Sequence, residues 1–223
     1  MKLTLGEDNL VLSFCENKIL VLVLENPHTF MRILQQLYSQ CNGGEGELVL
    51  SKNEVIISMA TNVQVIWNPF MTDFNDKKIL NKLYQELRDV SEETCLQDIE
   101  EIRGAVSRYL SKVGAMIPYS ITYAARVDDV ALYKLYEVKL ENDGADVLQQ
   151  LIEYIKILSM LCGTKIVIFI NLKDYLDEVQ LLELYKTAFY YKIYVLLIEA
   201  TQKDGLEDEK YYILDRDDCL IEF

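Results

Sequence analysis

Six apolar residues in a row, Ile19-Leu20-Val21-Leu22-Val23-Leu24, lead through Glu25-Asn26-Pro27 into a periodic segment that runs to about Tyr38. An unbroken apolar run of that length predicts a strand covered on both faces. After the turn, Phe30, Ile33, Leu34, Leu37 and Cys41 fall on one stripe of a helix. A buried strand, a short turn and a helix is the unit in which nucleotide-binding α/β proteins carry a glycine-rich phosphate cradle. Here the turn has no glycine and no following Lys-Ser/Thr, and G-x-x-x-x-G-K-[S/T] occurs nowhere in the chain. The glycines at 43, 44 and 46 follow a helix and precede a strand, so they read as a helix stop. The expected scaffold is therefore a nucleotide-binding one without its phosphate-binding loop. That shifts the expected function from ATP chemistry to binding and assembly.

Two more apolar runs, at residues 165–170 and 192–199, repeat the buried-strand pattern. They alternate with amphipathic helices predicted over 146–161 and 174–188, as parallel strands joined by crossover helices require. Short strands are expected at 3–5, 10–14, 47–50, 54–58 and 63–67, with a hairpin turn at Gly6-Glu7-Asp8-Asn9 and a closing hairpin from 211–214 and 219–223. Between Asn75 and Val113 the period is helical. One stripe holds Ile79, Leu80, Leu83, Leu87 and Val90, and a second holds Leu96, Ile99, Ile102, Val106, Tyr109/Leu110 and Val113 with the three-and-four spacing of a coiled-coil seam, the two separated near Ser91-Glu92-Glu93-Thr94. The alternation from Tyr136 to Glu141 predicts an edge strand, and Asn142-Asp143-Gly144 a turn. The organisation that follows is a discontinuous α/β head over 1–70 and 142–223, interrupted by a helical leg over 71–141.

Composition narrows the function classes. Among 223 residues, 51% are apolar, which suits a globular core. No run approaches the roughly 18 apolar residues that span a bilayer. The start lacks a signal-peptide core, so no membrane association and a cytoplasmic location are expected. The cysteines at 15, 41, 95, 162 and 219 are widely spaced with no CxxC, which predicts small buried hydrophobes in a reducing compartment. His28 is the one histidine, at a predicted helix start. Most zinc geometries and the Ser-His-Asp or Cys-His mechanisms that lack it fall away. The net charge of −14 opposes phosphate binding only on average; distribution decides it.

Three constellations carry possible chemistry. Asp129 with Glu137-Val138-Lys139 has the form of a restriction-type nuclease core, two carboxylates for a divalent cation and a lysine beside the attacking water. Glu-x-Lys is also an ordinary solvated edge. The acids Asp128, Asp129, Glu141 and Asp143 suit a hard cation such as calcium, although their spacing is not that of an EF-hand, and they also read as an acidic surface. The acidic stretch 204–209 reads as a solvated loop. Basic side chains recur on the helices: Arg103, Arg108 and Lys112 on the second leg helix, Lys77, Lys78 and Lys82 on the first, with Lys134, Lys139 and Lys156 nearer the head. Repeated around a symmetric oligomer, they would form a collar that tracks phosphate.

The stretch 19–38, the triplet Gly46-Glu47-Leu48, the leg start Ile79-Leu80-Asn81-Lys82-Leu83-Tyr84 and the successions 165–171, Val195-Leu-Leu-Ile-Glu199 and Tyr212-Ile-Leu-Asp215 together resemble a known family. It is the CRISPR-associated spacer-adaptation protein of type II-A systems, the Csn-two family, in its short form. The resemblance implies a P-loop-NTPase-like head without an ATP site, no bound nucleotide, and a helical leg. It implies a homotetrameric ring that threads double-stranded DNA, binds its ends and is supported by calcium. The implied role is acquisition of spacers beside the integrase proteins and the type II effector nuclease, without enzymatic activity. Asp128 and Asp129 match the family's acidic pair, with Glu141 a further candidate ligand. The segment Tyr123-Ala124-Ala125-Arg126 replaces much of the denser acidic stretch that precedes that pair in relatives.

Overall fold

The computed structural model describes residues 1–6, 10–124, 128–141 and 146–222. The expected turns at 6–9 and 142–144 thus lie wholly or largely outside the described residues, as does Asp143. The architecture is mixed α/β with two sheets. The chain divides into two compact units, one formed by Met1–Asp73 with Asn142–Phe223, the other by Phe74–Glu141.

In the first unit, β1 (Lys2–Leu5), β2 (Leu10–Ser13), β4 (Leu48–Lys52) and β5 (Val55–Ile56) form an antiparallel sheet in the order β2-β1-β4-β5. The larger sheet holds β3 (Ile19–Leu24), β6 (Val63–Ile66), β7 (Ile166–Ile170), β8 (Tyr194–Glu199), β9 (Glu209–Leu214) and β10 (Leu220–Glu222), in the order β10-β9-β3-β8-β7-β6. All its pairs are parallel except β10 with β9. Every residue of β3 and β7 is buried, because both faces of the sheet are covered. Leu20, Leu22 and Leu24 join a core with Leu196, Ile198 and the inward residues of the small sheet, Leu3, Leu5, Leu12 and Leu50.

The joint after β3 shows why a proline can replace a glycine-rich loop. Asn26 caps α1 (Pro27–Cys41), its Oδ1 accepting the His28 N–H at 3.0 Å, and Pro27 fills the first helical position, where an N–H is dispensable. The helix buries Ile33 and Leu37 and stops at Asn42, with Gly43 at φ 84°. After the four-residue α2 (Met59–Asn62), the remaining helices of this unit are α6 (Val147–Met160) and α7 (Glu178–Tyr190). A capping box of Asp177 and Gln180 starts α7, and a 3-10 turn, Leu172–Asp174, precedes it. The crossover from β8 to β9 contains no helix.

The second unit contains α3 (Lys77–Thr94), α4 (Leu96–Gly114) and α5 (Asp129–Leu135). Asp76 caps α3 through the Ile79 N–H at 2.8 Å, and Cys95 is the joint between α3 and α4. The edge strand expected at 136–141 does not form. Alternation supplies a strand only where a neighbouring strand offers hydrogen bonds, and here the partner is a side chain. Asn75 accepts the Leu140 N–H at 2.9 Å and donates to the Leu140 carbonyl at 3.1 Å. Glu137 has φ 50°, outside the strand region altogether.

Two further expectations are corrected. Cys15, Cys95 and Cys219 are exposed, and Cys41 and Cys162 are half-buried; they lie at turns and helix ends, where apolar sequence neighbours do not ensure burial. Residues 204–209 are not a plain solvated loop: Glu209 begins β9 and its side chain is fully buried.

Candidate functional site

The basic and acidic candidates meet in one place, within the helical unit. Arg103 on α4 reaches Asp129, the first residue of α5, at 2.5 Å, and Glu100 at 2.6 Å. Asp129 is 5% exposed and Arg103 half-buried. Its bonds to Glu100, and then the charge of Asp129, raise the Arg103 pKa further above its ordinary value. The two candidates therefore satisfy one another. Asp128 and Glu141 are exposed and Asp128 makes no capping hydrogen bond. Among the described residues no three His, Cys, Asp or Glu side chains converge as metal ligands. Calcium takes six to eight oxygens, so the described side chains of one chain do not by themselves form its cage.

Arg108 and Lys112 are exposed one turn apart on α4, and Lys134 is exposed at the end of α5. Lys139 lies 3.6 Å from Glu137, both exposed, and Asp129 is turned to Arg103, so the nuclease-like trio is not assembled as a strand-borne site. Lys156 belongs to α6 of the other unit and is bonded to Glu153, which raises its pKa. Between α4 and α5 lies a cavity of about 310 Å³, walled by Ile102, Val106, Leu110, Tyr123 and Leu132, with the Arg103–Asp129 pair at its margin. Its apolar wall suits side chains rather than phosphate.

A second cluster escaped the sequence reading. Lys173, in the 3-10 turn after β7, has a 4% exposed side chain. Its ammonium donates to Glu209 at 2.7 Å, the Tyr211 hydroxyl at 2.7 Å and the Asp204 carbonyl at 2.9 Å. Tyr185 from α7 donates to the other Glu209 oxygen at 2.6 Å. Burial, and then the Glu209 charge, push the Tyr185 and Tyr211 hydroxyls far above the ordinary tyrosine range. Glu199, the last residue of β8, is 1% exposed, and burial pushes it up to about 7. No motif marks this cluster. A lysine after a strand and a glutamate in an acidic stretch read as surface residues, and only the strand order brings them together.

The parallel strands, the two-sided core and the inserted helices define a mixed α/β protein of the open-sheet type. A family model described as CRISPR-associated protein (Cas_Csn2) matches residues 40–218, well over half of the chain, and the chain belongs to that family. Its role is CRISPR-associated. Among solved structures it is similar to a bacterial Atm1-family ABC exporter with ATP bound, at 11% identity and a TM-score of 0.42 over 93% of this chain and 34% of that one. It is also similar to a putative ABC transporter ATP-binding protein from Pyrococcus furiosus, at 9% identity and a TM-score of 0.38 over 91% of this chain and 88% of that one. The chain thus spans about a third of the exporter's length. No described helix is long and apolar enough to cross a membrane.

Proposed function

We propose that this protein is a non-catalytic, ring-forming protein that binds double-stranded DNA ends during CRISPR spacer acquisition, with calcium supporting the assembly. Membership of the Cas_Csn2 family over residues 40–218 carries the reading. The assembly is a homotetramer in the cytoplasm, working beside the integrase proteins and the type II effector nuclease.

The head is read as a P-loop-NTPase-like scaffold without the loop. Its first parallel strand, β3, lies centrally between β8 and β9, the last two parallel strands in sequence. Open α/β sheets bind ligands where the strand order reverses in this way. At that position Pro27 has no N–H to offer and Asn26 already holds that of His28. That geometry supports use of the scaffold for assembly rather than for nucleotide. In the helical unit, Arg108, Lys112, Lys134 and Lys139 are among the exposed cations available to phosphate, with Lys77 and Lys82 on α3. Arg103 would contribute through its pairing with Asp129 rather than by reaching DNA. For calcium, Asp128 and Glu141 remain the exposed ligands, and a cation at Asp129 would compete with the Arg103 guanidinium.

A gel shift with linear duplex, closed circular duplex and calcium or chelator, run beside a sizing column, tests the reading. The expected result is a tetramer that shifts linear duplex in a salt-sensitive manner, refuses closed circles and weakens with chelator. Arg108→Glu with Lys112→Glu should weaken binding and flatten its salt dependence by about two units of slope for each subunit that contacts phosphate. Equal affinity for circles and linear duplex would remove the ring; metal-dependent cleavage abolished by Glu137→Ala would replace it with a nuclease.

A further inference from the structure

The crossover from β8 to β9 must pass over the sheet without a helix whose apolar face could dock there. Residues 200–208 are held instead by polar tethers. Lys203 pairs with Asp174 at 2.6 Å, Lys173 donates to the Asp204 carbonyl at 2.9 Å, and the Leu206 N–H donates to Glu209 at 2.8 Å. The Tyr211 hydroxyl reaches the Lys203 and Asp204 carbonyls at 3.4 Å each, and the Lys173 ammonium lies 5.3 Å from the centre of the Tyr211 ring. These tethers end on the 3-10 turn 172–174 or on the first residues of β9. The ends of the segment are held separately, the Ala200 N–H by Asn171 at 2.9 Å, Glu207 and Asp208 by the Lys18 ammonium at 3.3 and 3.1 Å, and the Asp208 carbonyl by the Ile19 N–H at 2.9 Å.

Glu199 stands at the root of this segment, in register with the buried Val23 of β3. One carboxyl oxygen accepts the Lys173 N–H at 3.2 Å; the other, Oε2, has no hydrogen-bond partner. A buried carboxylate with an unmatched oxygen is far costlier than a neutral carboxyl at the same place. The charged and titratable groups around it are Lys173 and Asp174 from the turn, Lys203 and Asp204 from the segment, Glu209 and Tyr211 from β9, and Tyr185 from α7. Burial is the main influence raising Glu199. The Lys173 N–H opposes it, Asp174 adds to it, and the Lys173 and Lys203 charges oppose it.

We propose that Glu199 is the proton-sensitive root of a latch on residues 200–208, closed while its carboxyl is neutral and loosened when it ionises. With Glu199 neutral, the Lys173 ammonium serves Glu209 and the Asp204 carbonyl. With Glu199 ionised, its unmatched Oε2 carries buried charge that opening of the segment returns to water, so opening becomes easier; the Lys173 and Lys203 charges offset part of that gain. Because the folded-state pKa lies above the ordinary 4.5, the stabilising contribution is complete below that value. It is lost as pH rises to about 7 and changes little beyond.

Hydrogen exchange on the full chain between about pH 5.5 and 8.5, corrected for the intrinsic rate, reads the latch directly. Protection of 200–208 relative to β7 should fall about thirtyfold across that range, a factor of ten for each of the roughly 1.5 pH units between 5.5 and the midpoint near 7. Glu199→Gln should remove the pH dependence. Constant protection in the unaltered protein, or an unchanged fall in the Gln variant, would overturn the proposal. The carboxyl carbon shift of Glu199 in the unaltered protein gives a reading that needs no variant to fold. A midpoint near 7 supports the latch, and one at the ordinary glutamate value overturns it.

Discussion

The two units of this chain solve the same problem by different means. The unit of 1–73 and 142–222 closes an apolar core between its layers, with Ile155, Val167, Ile168, Leu184 and Leu197 each at 0% exposure. In the helical unit, Phe74, Ile79, Tyr84 and Ile99 are the buried apolar side chains among the described residues, and Ile102, Val106, Tyr109 and Val113 along α4 remain 40–65% exposed. What holds that unit is a set of polar ties: Tyr84 to the Val138 carbonyl at 3.0 Å, Tyr133 to the Leu87 carbonyl at 3.2 Å, and Arg103 to Asp129. The contrast teaches that a helical seam with coiled-coil spacing need not be a filled core. Its apolar stripe is an unspent surface, and the ties fix the helices in its place.

That comparison can be broken at several points. Lys173→Met should have the largest effect, destabilising the sheet-bearing unit by about 3–5 kcal/mol in denaturant unfolding, since it strands the fully buried Glu209 without its cation. Ile155→Ala should cost about 2–5 kcal/mol by the same measurement, the range for truncating a closed core. Val106→Ala should change stability by no more than about 0.5 kcal/mol in dilute protein, because its side chain already meets solvent. A Val106→Ala loss of about 1 kcal/mol or more would show the seam to be covered, and so erase the contrast.

Legibility in the sequence followed the same division. The runs at 19–24, 165–170 and 192–199 announced β3, β7 and β8 because a strand buried on both faces leaves a signal no surface segment imitates. The leg helices were equally plain from their period, although their joint fell at Cys95 rather than within Ser91–Thr94. Residues 136–141 misled because alternation describes a face and says nothing of a partner strand. Lys173, Glu199 and Glu209 were invisible for a different reason. They are distant in sequence and polar in type, and their burial follows from the parallel strand order that sets β8, β3 and β9 side by side. The pairing of Arg103 with Asp129 is hidden likewise, since 26 residues part them and each side chain fits a role of its own.

Asn75 and its double hydrogen bond to Leu140 have a consequence for how such a molecule can be remodelled. The amide clips the entry and exit of the helical unit together, so the insertion closes on itself like a bag with a drawn neck. A segment whose two ends already meet can be lengthened, shortened or exchanged without stretching the host chain on either side. The helices can then vary with whatever they grip while the sheet stays as it is.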